Sequence, residues 1–368
     1  MSNQTVNVAV IGCGRVVGHH LRSIAKAGGG RIVAVCDLLS ERAEAYGKQY
    51  AIPYFTNYHE MLRVVKDVDV VAVVTPSGMH AEHAMDVMQR YKKHVLVEKP
   101  TFMHPVQLNE AYNFAEANGL RIYPVFQNRH NKAVQRLKAA ITSNELGEIR
   151  IMAVRVRWCR PQRYYDLAPW RGTFSHDGGA LSNQGIHHLD LLRYLGGEVD
   201  QLNATLRTLG ANIEVEDTAV ATLKYPGGAV GVLEVTTAAR PDDYEASLTV
   251  VGGKGLAQLG GLAVNELQVF TPDPSVCEQA SEKIPDAYGF GHIAVYENLV
   301  NDLRGIRRFP VSRSDCLSTL NLLHAFYRSD EIGAWVDVKA GFPSERLGRQ
   351  DDNLSRLYRT APPYDSSF

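Results

Sequence analysis

The chain has 368 residues, a net charge of −1, 45% hydrophobic residues and 21% charged residues. This length favours two domains, and the balanced charge gives no reason to expect nucleic-acid or membrane-surface partners. No apolar run approaches the roughly 20 residues of a transmembrane helix, and the first residues lack a signal-peptide pattern. The 5 cysteines are scattered along the chain, which argues against a disulfide framework and a zinc site. We therefore expect a cytoplasmic protein without a metal site.

The first 126 residues alternate short apolar strands with amphipathic helices. Strands are predicted at 6–12, 31–37, 68–76, 94–100 and 121–126, with a helical segment after each of the earlier ones. Continuous valine and isoleucine runs indicate strands buried on both faces, and the strand–helix alternation indicates parallel pairing. The sequence predicts an α/β Rossmann dinucleotide-binding domain over residues 1–126.

From residue 127 onwards, longer helices are followed by consecutive strands. Strands are predicted at 149–158, 199–208, 216–225, 229–238, 244–251 and 263–270, and helices near 130–142, 180–195, 292–304 and 315–328. Successive strands with short turns indicate antiparallel pairing. We expect an α+β domain with a large, mostly antiparallel, open-faced sheet over 127–342. Residues 343–368 are predicted to form a polar tail that is extended or partly disordered.

A glycine-rich segment, IGCGRVVGHH, follows the first strand and opens the first helix. Gly12 and Gly14 fill the first two places of a GxGxxG pattern, whereas Val17 stands at the third. Such glycines let a pyrophosphate approach the backbone at the helix N-terminus. Asp37, at the end of the second strand, can accept hydrogen bonds from ribose hydroxyls and would repel a 2′-phosphate. This context predicts NAD binding rather than a glycine turn without a ligand.

Charged residues end a strand that otherwise looks buried. The run VLVEKP closes with Glu98, Lys99 and Pro100, and Thr75-Pro76-Ser77 ends the preceding strand. Ligands of parallel sheets bind beyond the carboxyl ends of the strands. We therefore expect Lys99 where the reactive end of the cofactor binds; the alternative is a solvent-exposed ion pair at a strand end.

A second polar group lies in DGGALSNQGIHHLD, residues 177–190. If 180–195 forms one helix, Asn183 and His187 share a face and Asp190 could orient the imidazole. A histidine with a pKa of about 6.5 can exchange a proton at neutral pH. On spacing alone, a structural core histidine is the favoured alternative.

Arginines and aromatic residues alternate in RVRWCRPQRYYDLAPWRGTF, residues 155–174. Guanidinium groups bind phosphate or carboxylate with paired hydrogen bonds, and aromatic rings can stack on bases and sugars. The segment favours a substrate with several negative charges. The alternative is a solvated basic loop held by aromatic anchors.

The glycine turn, the Glu-Lys-Pro run and the downstream histidine together resemble the glucose–fructose oxidoreductase/inositol dehydrogenase (Gfo/Idh/MocA) family over about residues 5–340. The resemblance implies that Lys99 lies near the nicotinamide and the reacting hydroxyl, and that His187 is the base. The family's Asp-x-x-x-His pair maps onto Asn183 and His187, so an amide replaces the carboxylate here.

Within that family the chain is similar to UDP-N-acetylglucosaminuronate 3-dehydrogenases of bacterial lipopolysaccharide (O-antigen) biosynthesis, through QNRHN (127–131), NIEVEDTAV (212–220) and YGFGH (288–292). The similarity implies NAD-dependent oxidation of the 3-hydroxyl of a UDP-sugar. It also implies recycling of NADH by 2-oxoglutarate and a homodimer or homotetramer formed through the open sheet face. Alternatives are another sugar or inositol dehydrogenase or ketoreductase of the family, and a non-catalytic NAD sensor.

These interpretations give a set of expected site residues. The catalytic residues are Lys99 and His187. The cofactor residues are Gly12, Gly14, Arg15, Val16, Asp37, Thr75, Pro76, Ser77, His80, Glu98, Lys99, Gln127, Trp170 and Arg171. The substrate residues are Lys99, Arg160, Arg163, Tyr164, Tyr165, Asn183, Gln184, His187, His188 and Tyr288.

Overall fold

The computed structural model describes residues 5–284 and 286–362. Its strands are β1 (Val6–Ile11), β2 (Gly30–Cys36), β3 (Tyr54–Phe55), β4 (Val70–Val73), β5 (His94–Val97), β6 (Ile122–Pro124), β7 (Ile149–Arg157), β8 (Gln201–Arg207), β9 (Thr218–Lys224), β10 (Val230–Thr236), β11 (Glu245–Gly252), β12 (Leu256–Gly260), β13 (Glu266–Phe270) and β14 (Val336–Asp337). Its α-helices are α1 (Val17–Lys26), α2 (Ser40–Tyr50), α3 (Tyr58–Val64), α4 (His80–Tyr91), α5 (Pro105–Ala117), α6 (Lys132–Thr142), α7 (Gln162–Tyr165), α8 (Ile186–Gly196), α9 (Val276–Ala280), α10 (Gly291–Leu303), α11 (Arg313–Ile332) and α12 (Asp352–Arg356). None of the helices in the described part of the chain combines the length and hydropathy needed to cross a bilayer.

The chain forms two compact units. Among the described residues, the first unit contains 5–125, 292–313 and 350–362, and the second contains 126–291 and 314–349. The predicted domains are continuous, whereas the first unit is assembled from three segments of the chain. Sequence periodicity identifies an amphipathic helix but does not say which sheet it covers.

The first unit contains a six-stranded parallel sheet with the order β3-β2-β1-β4-β5-β6. Its central strands are apolar on both faces, and Val8, Val10 and Val70 are fully buried. Helix α10, which was predicted in the second domain, packs Tyr296 and Leu299 into this core. The strand order reverses between β1 and β4, and dinucleotides bind at such a switch point. The expected Rossmann domain is confirmed.

The second unit contains an eight-stranded sheet with the order β13-β12-β11-β7-β10-β9-β8-β14. Strand β7 pairs antiparallel with β11 and parallel with β10. The other pairings are antiparallel, so the predicted mostly antiparallel sheet is confirmed. Strand β12 was not predicted because its five residues directly follow a glycine-rich turn and resemble a continuation of that loop.

The predicted helix over 180–195 is interrupted in the structure. Residues Ala180–Gln184 form a π-helical turn, closed by a hydrogen bond of 2.7 Å from the Gly185 N–H to the Ala180 carbonyl, and α8 follows from Ile186. A π-turn adds a residue to the helical repeat. The i, i+4 spacing that paired Asn183 with His187 on one helical face therefore does not apply here.

Residues 343–362, which were predicted to be extended or partly disordered, lie mostly outside helices and strands but include one helix and several long-range contacts. Helix α12 lies in this segment, and Arg359 forms a two-pronged ion pair with Glu82 at 2.7 and 2.8 Å. The Thr360 carbonyl lies 3.0 Å from the His59 Nε2. These contacts are polar and join segments that are distant in the sequence. The pattern of apolar residues therefore could not predict them. Residues 363–368 lie outside the described residues.

Candidate active site

The glycine turn joins β1 to α1 in the first unit. Gly12 has a φ of 97°, and a Cβ at this position would lie 2.4 Å from the Val74 carbonyl oxygen. A Cβ on Gly14 would meet no protein atom within 4 Å, so open space lies in front of this residue. Val17, at the third place of the motif, is fully buried in the core. The turn therefore has the close backbone packing and the open cradle that a pyrophosphate needs.

Asp37 ties the glycine turn to the loop after β2. Its Oδ2 accepts the Cys13 N–H at 2.7 Å, and its Oδ1 accepts the Leu39 N–H at 2.9 Å. Each carboxylate oxygen can accept a second hydrogen bond, so ribose hydroxyls can still bind. The open cradle and this half-buried carboxylate fit the adenosine end of NAD.

The loops after β4 and β5 carry the other predicted cofactor residues of the first unit. His80 is buried, with its Nδ1 2.8 Å from the Pro100 carbonyl and its Nε2 2.9 Å from the Thr75 carbonyl. It therefore joins the two loops. Ser77 is buried and Pro76 half-buried, while Arg15 and Val16 lie in the glycine turn, Arg15 exposed and Val16 half-buried.

Lys99 is half-buried, whereas Glu98 and Pro100 on either side of it are buried. The side chain of Glu98 is directed into the core of the first unit, where it contacts His20 at 2.8 Å. The pair at the strand end is therefore not a solvent-exposed ion pair, which was the alternative interpretation of this run.

His187 is buried at the start of α8 in the second unit. Its Nε2 lies 3.0 Å from the side-chain nitrogen of Gln127, and the Phe126 ring stands edge-on to the imidazole. An amide can donate to an unprotonated ring nitrogen or, turned over, accept from a protonated one. Gln127, predicted as a cofactor residue, can therefore hold the ring in either protonation state.

The prediction that Asp190 orients His187 is wrong. Both Asp190 oxygens lie 2.7 Å from the Arg129 guanidinium, and Thr319 donates to one of them at 2.9 Å. Arg129 and Asp190 are both buried, and a buried charge needs a partner of this kind. The spacing placed Asp190 near the imidazole, but it could not reveal the arginine from a distant segment.

Asn183 donates a short hydrogen bond to the Asp177 carboxylate, which also accepts the Gly172 N–H at 2.7 Å. The second unit thus has a buried carboxylate beside Asn183, although position 183 itself carries an amide. It comes from the start of the DGGALSNQGIHHLD segment, six residues earlier.

Part of the arginine–aromatic segment gathers around Tyr164. Arg171 and Gln184 donate to the Tyr164 hydroxyl at 2.6 and 3.2 Å, and the Arg171 guanidinium lies 4.5 Å from the centre of the Trp170 ring. These polar side chains, which the sequence assigned to two different ligands, form one cluster in the second unit. We name Tyr164, Trp170, Arg171 and Gln184 the Tyr164 cluster.

Other predicted substrate residues have different environments. Arg160 pairs with Asp243 at 2.7 Å, and Arg163 is exposed on α7. Tyr165 is buried and shares a hydrogen bond of 3.0 Å with Thr237. His188 is fully buried edge-on to Trp158, and burial lowers its pKa to about 4. Tyr288 is half-buried in the turn before α10.

Glu216 has a structural role that the sequence did not reveal. Its Oε1 accepts the Leu181 N–H at 3.0 Å and lies 2.8 Å from the Tyr327 hydroxyl, and its main-chain carbonyl accepts the Ala180 N–H. Glu216 therefore holds the π-helical turn that precedes His187. Burial raises the pKa of this carboxyl to about 8. The acidic pair in NIEVEDTAV was visible, but nothing local marked it as buried.

The strand order, the glycine turn and the acid at the end of β2 are those of a Rossmann NAD-binding domain. A profile of the oxidoreductase family with an NAD-binding Rossmann fold matches residues 6–126, and a profile of the GFO/IDH/MocA C-terminal domain matches residues 134–258. The D-glucoside 3-dehydrogenase of Escherichia coli (strain K12) is 30% identical over 362 residues, 92% of this chain and 99% of that protein. The chain belongs to the GFO/IDH/MocA oxidoreductase family.

Two solved structures resemble most of the chain. The WlbA dehydrogenase from Bordetella pertussis, crystallised with NADH and UDP-GlcNAcA, is 35% identical, with a TM-score of 0.85 over 92% of this chain and 99% of that chain. The corresponding enzyme from Chromobacterium violaceum, also with NADH and UDP-GlcNAcA, is 34% identical, with a TM-score of 0.84 over 92% of this chain and 97% of that chain. Both similarities extend through both units.

Substitutions of the two glycines by alanine should have different consequences. Gly12→Ala adds a Cβ against the Val74 carbonyl at a positive φ, so the protein without NAD should already lose thermal stability. Gly14→Ala adds a Cβ to open space, so the melting temperature without NAD should stay close to wild type while NAD binding weakens at least tenfold. Thermal unfolding and calorimetric NAD titration measure both effects. Equal melting temperatures of the two variants without NAD would contradict the difference in packing at the two positions.

Glu216 should make the stability of the protein fall as the pH rises. Its pKa is raised from 4.5 to about 8 because the folded protein favours the protonated carboxyl. The contribution of this proton to the free energy of unfolding is therefore complete below pH 4.5 and is lost as the pH rises to about 8. Glu216→Gln keeps the shape without the ionisation and should be more stable than wild type at pH 8.5, by roughly 2–4 kcal/mol. Denaturant unfolding at several pH values tests this. Glu214→Gln, at an exposed neighbour, is the control and should keep the wild-type slope.

Proposed function

We propose that this protein oxidises the 3-hydroxyl of a nucleotide sugar, UDP-N-acetylglucosaminuronate, to the 3-keto form in surface-polysaccharide biosynthesis. The observation that carries the proposal is the similarity, over 92% of the chain, to two dehydrogenases crystallised with NADH and this sugar nucleotide. Bound NAD supplies the hydride acceptor. The residues of the chain supply binding, orientation and proton transfer.

His187 is proposed as the base that takes the proton of the sugar hydroxyl. Gln127 supports this role because its amide oxygen can accept the Nε2–H and orient the ring, and the Nδ1 is then the ring nitrogen that takes the proton. Lys99 is proposed to donate a hydrogen bond to the substrate oxygen and to stabilise its developing negative charge. Lys99 is half-buried and directly follows the end of β5, at the edge of the sheet where the ligands of such folds bind.

The Tyr164 cluster and the exposed Arg163 are proposed to bind the charged part of the substrate. Arg171 keeps donors beyond the one that it gives to Tyr164, and a guanidinium can bind a carboxylate or phosphate through two of them. Arg160 is already paired with Asp243, so it must exchange that partner in order to bind substrate. The proposal for Arg163 and Arg171 therefore has the better support.

The first test combines activity with the two central substitutions. Purified protein, UDP-N-acetylglucosaminuronate, NAD and 2-oxoglutarate should yield a sugar lacking two hydrogens and 2-hydroxyglutarate, both detected by mass spectrometry. Lys99→Ala and His187→Asn should each lower kcat by about 100-fold or more because each removes a group that acts in the transition state. NAD affinity should stay within about threefold. Lys48→Ala, at an exposed lysine of the first unit, is the control.

Each result of this assay has a distinct meaning. A 3-keto sugar without 2-hydroxyglutarate would refute the recycling of NADH and leave the dehydrogenase proposal intact. An unchanged nucleotide sugar in the presence of bound NAD would refute the proposed substrate. The similarity to D-glucoside 3-dehydrogenase favours a simple glucoside as the second candidate, to be assayed in parallel. Bound NAD with no sugar oxidised would point to the sensor.

We propose further that copies of the chain associate through the open face of the second unit's sheet. Val220 on β9 and Val230 and Val232 on β10 are 46–49% exposed on that face, and contiguous exposed apolar residues mark interfaces. Light scattering after size exclusion should give a dimer or tetramer, and Val232→Asp should lower the measured mass. Val64→Asp, at an exposed valine of the first unit, is the control. A monomeric wild-type protein would refute the proposal.

A further inference from the structure

A buried polar cluster lies in the first unit next to the segment that carries Lys99. It consists of His20 on α1, Glu98 after β5, and His292 and Tyr296 on α10, which we name the Glu98 cluster. The four residues are each 5% exposed or less. They come from three distant parts of the chain, and the function proposed above does not use them.

Glu98 uses its two oxygens in different directions. Oε1 lies 2.8 Å from the Nε2 of His20 and 3.5 Å from the Nε2 of His292, while Oε2 accepts the main-chain N–H of Lys99 at 2.9 Å. His20 is held in turn by Tyr296, whose hydroxyl lies 2.8 Å from the Nδ1. One carboxylate thus connects the Lys99 main chain to two helices.

The hydrogen bonds of the cluster are consistent with an ionised Glu98. Burial opposes ionisation, but the hydrogen bond from His20 and the nearby His292 imidazole hold the pKa of this carboxyl well below its usual range. An ionised carboxylate only accepts hydrogen bonds, so the His20 Nε2 carries the proton. The Tyr296 hydroxyl can then donate to the Nδ1, so that the hydrogen bonds run from Tyr296 to His20 and from His20 to Glu98.

The main chain on the other side of Lys99 is held in a similar way. The Pro100 carbonyl lies 2.8 Å from the Nδ1 of His80, whose Nε2 contacts the Thr75 carbonyl. The residues before and after Lys99 therefore each lie within hydrogen-bond distance of a buried imidazole. A functional side chain that must be placed within a fraction of an ångström needs such support.

A metal ion is an alternative occupant of this cluster. The ligand atoms of His20, Glu98 and His292 all lie within 4.8 Å of one another. However, two ligands of a tetrahedral zinc ion, with bonds of about 2.0 Å, stand about 3.3 Å apart, whereas His20 and Glu98 approach to 2.8 Å, a direct hydrogen-bond distance. The short distance between His20 and Glu98 therefore favours a hydrogen-bonded cluster over a metal site. Measuring the metal content of the purified protein distinguishes the two.

We propose that Glu98 is a positioning residue for Lys99, and that His20, His292 and Tyr296 hold it in place. The carboxylate fixes the main chain at Lys99, so the ammonium group is presented in one place for the transition state. This inference rests on the proposed role of Lys99. It assigns Glu98 an action through Lys99 and no contact of its own with the substrate.

Glu98→Gln and His20→Asn test the proposal. Each removes one connection of the cluster, so kcat for the sugar should fall at least tenfold while KM and the NAD affinity stay within about threefold. His59→Asn is the matched control. His59 is similarly buried in the same unit, but it contacts the Tyr91 hydroxyl at 2.7 Å and the Thr360 carbonyl at 3.0 Å, neither of which belongs to the Glu98 cluster. It should lose thermal stability to a similar extent and keep the wild-type kcat.

A double-mutant cycle separates this inference from the proposed function. If Glu98 acts through Lys99, Glu98→Gln should lower kcat no further in a Lys99→Ala background. Additive losses, or a wild-type kcat for both Glu98→Gln and His20→Asn, would overturn the inference while the role of Lys99 stands. A wild-type kcat for Lys99→Ala would overturn both. One equivalent of bound zinc or iron in elemental analysis, together with loss of kcat on chelation, would overturn the inference. It would show that these residues form a metal site.

Discussion

The loops that carry the candidate functional residues are held by half-buried and buried carboxyl groups, and a polar group that loses water must find hydrogen-bond partners. Asp37 takes the N–H groups of Cys13 and Leu39, and Glu98 takes that of Lys99. In the second unit, Glu216 takes the N–H of Leu181 in the π-helical turn. In each case a carboxylate side chain satisfies main-chain groups of a functional loop. The need to satisfy buried groups therefore also gives these loops a defined shape.

The two most buried of these carboxyl groups are expected to differ in charge because their donors differ. Glu98 faces imidazoles, which can stabilise an anion by hydrogen bonding, and its pKa lies well below the usual range. Glu216 receives a main-chain amide and a tyrosine hydroxyl, which do not offset its burial, and its pKa rises to about 8. Although both residues are glutamates, Glu98 in the first unit is expected to be ionised at pH 7 and Glu216 in the second unit to be neutral. Composition alone could not distinguish them.

The family fold supports several sugar oxidations, so the substrate must be chosen by residues outside the common framework. In this chain the Tyr164 cluster presents half-buried cationic and aromatic groups, while Tyr165 and His188 from the same segments are buried. Neighbouring residues that looked equivalent in the sequence therefore lie in different environments. Those with a polar end near the surface are the candidates for substrate selection, and the buried ones support them.

The sequence alone determined the strand–helix alternation, the glycine turn, Asp37 and the positions of Lys99 and His187, because apolar periodicity and short motifs are local properties. Only the tertiary structure decided which distant side chains meet. Arg129 forms an ion pair with Asp190, and Gln127 contacts His187. Helix α10 places His292 and Tyr296 in the Glu98 cluster. The ordered segment 350–362 and the π-turn before α8 also depend on such contacts. Hydrogen bonds between segments far apart in sequence leave no periodic signal, so only folding reveals them.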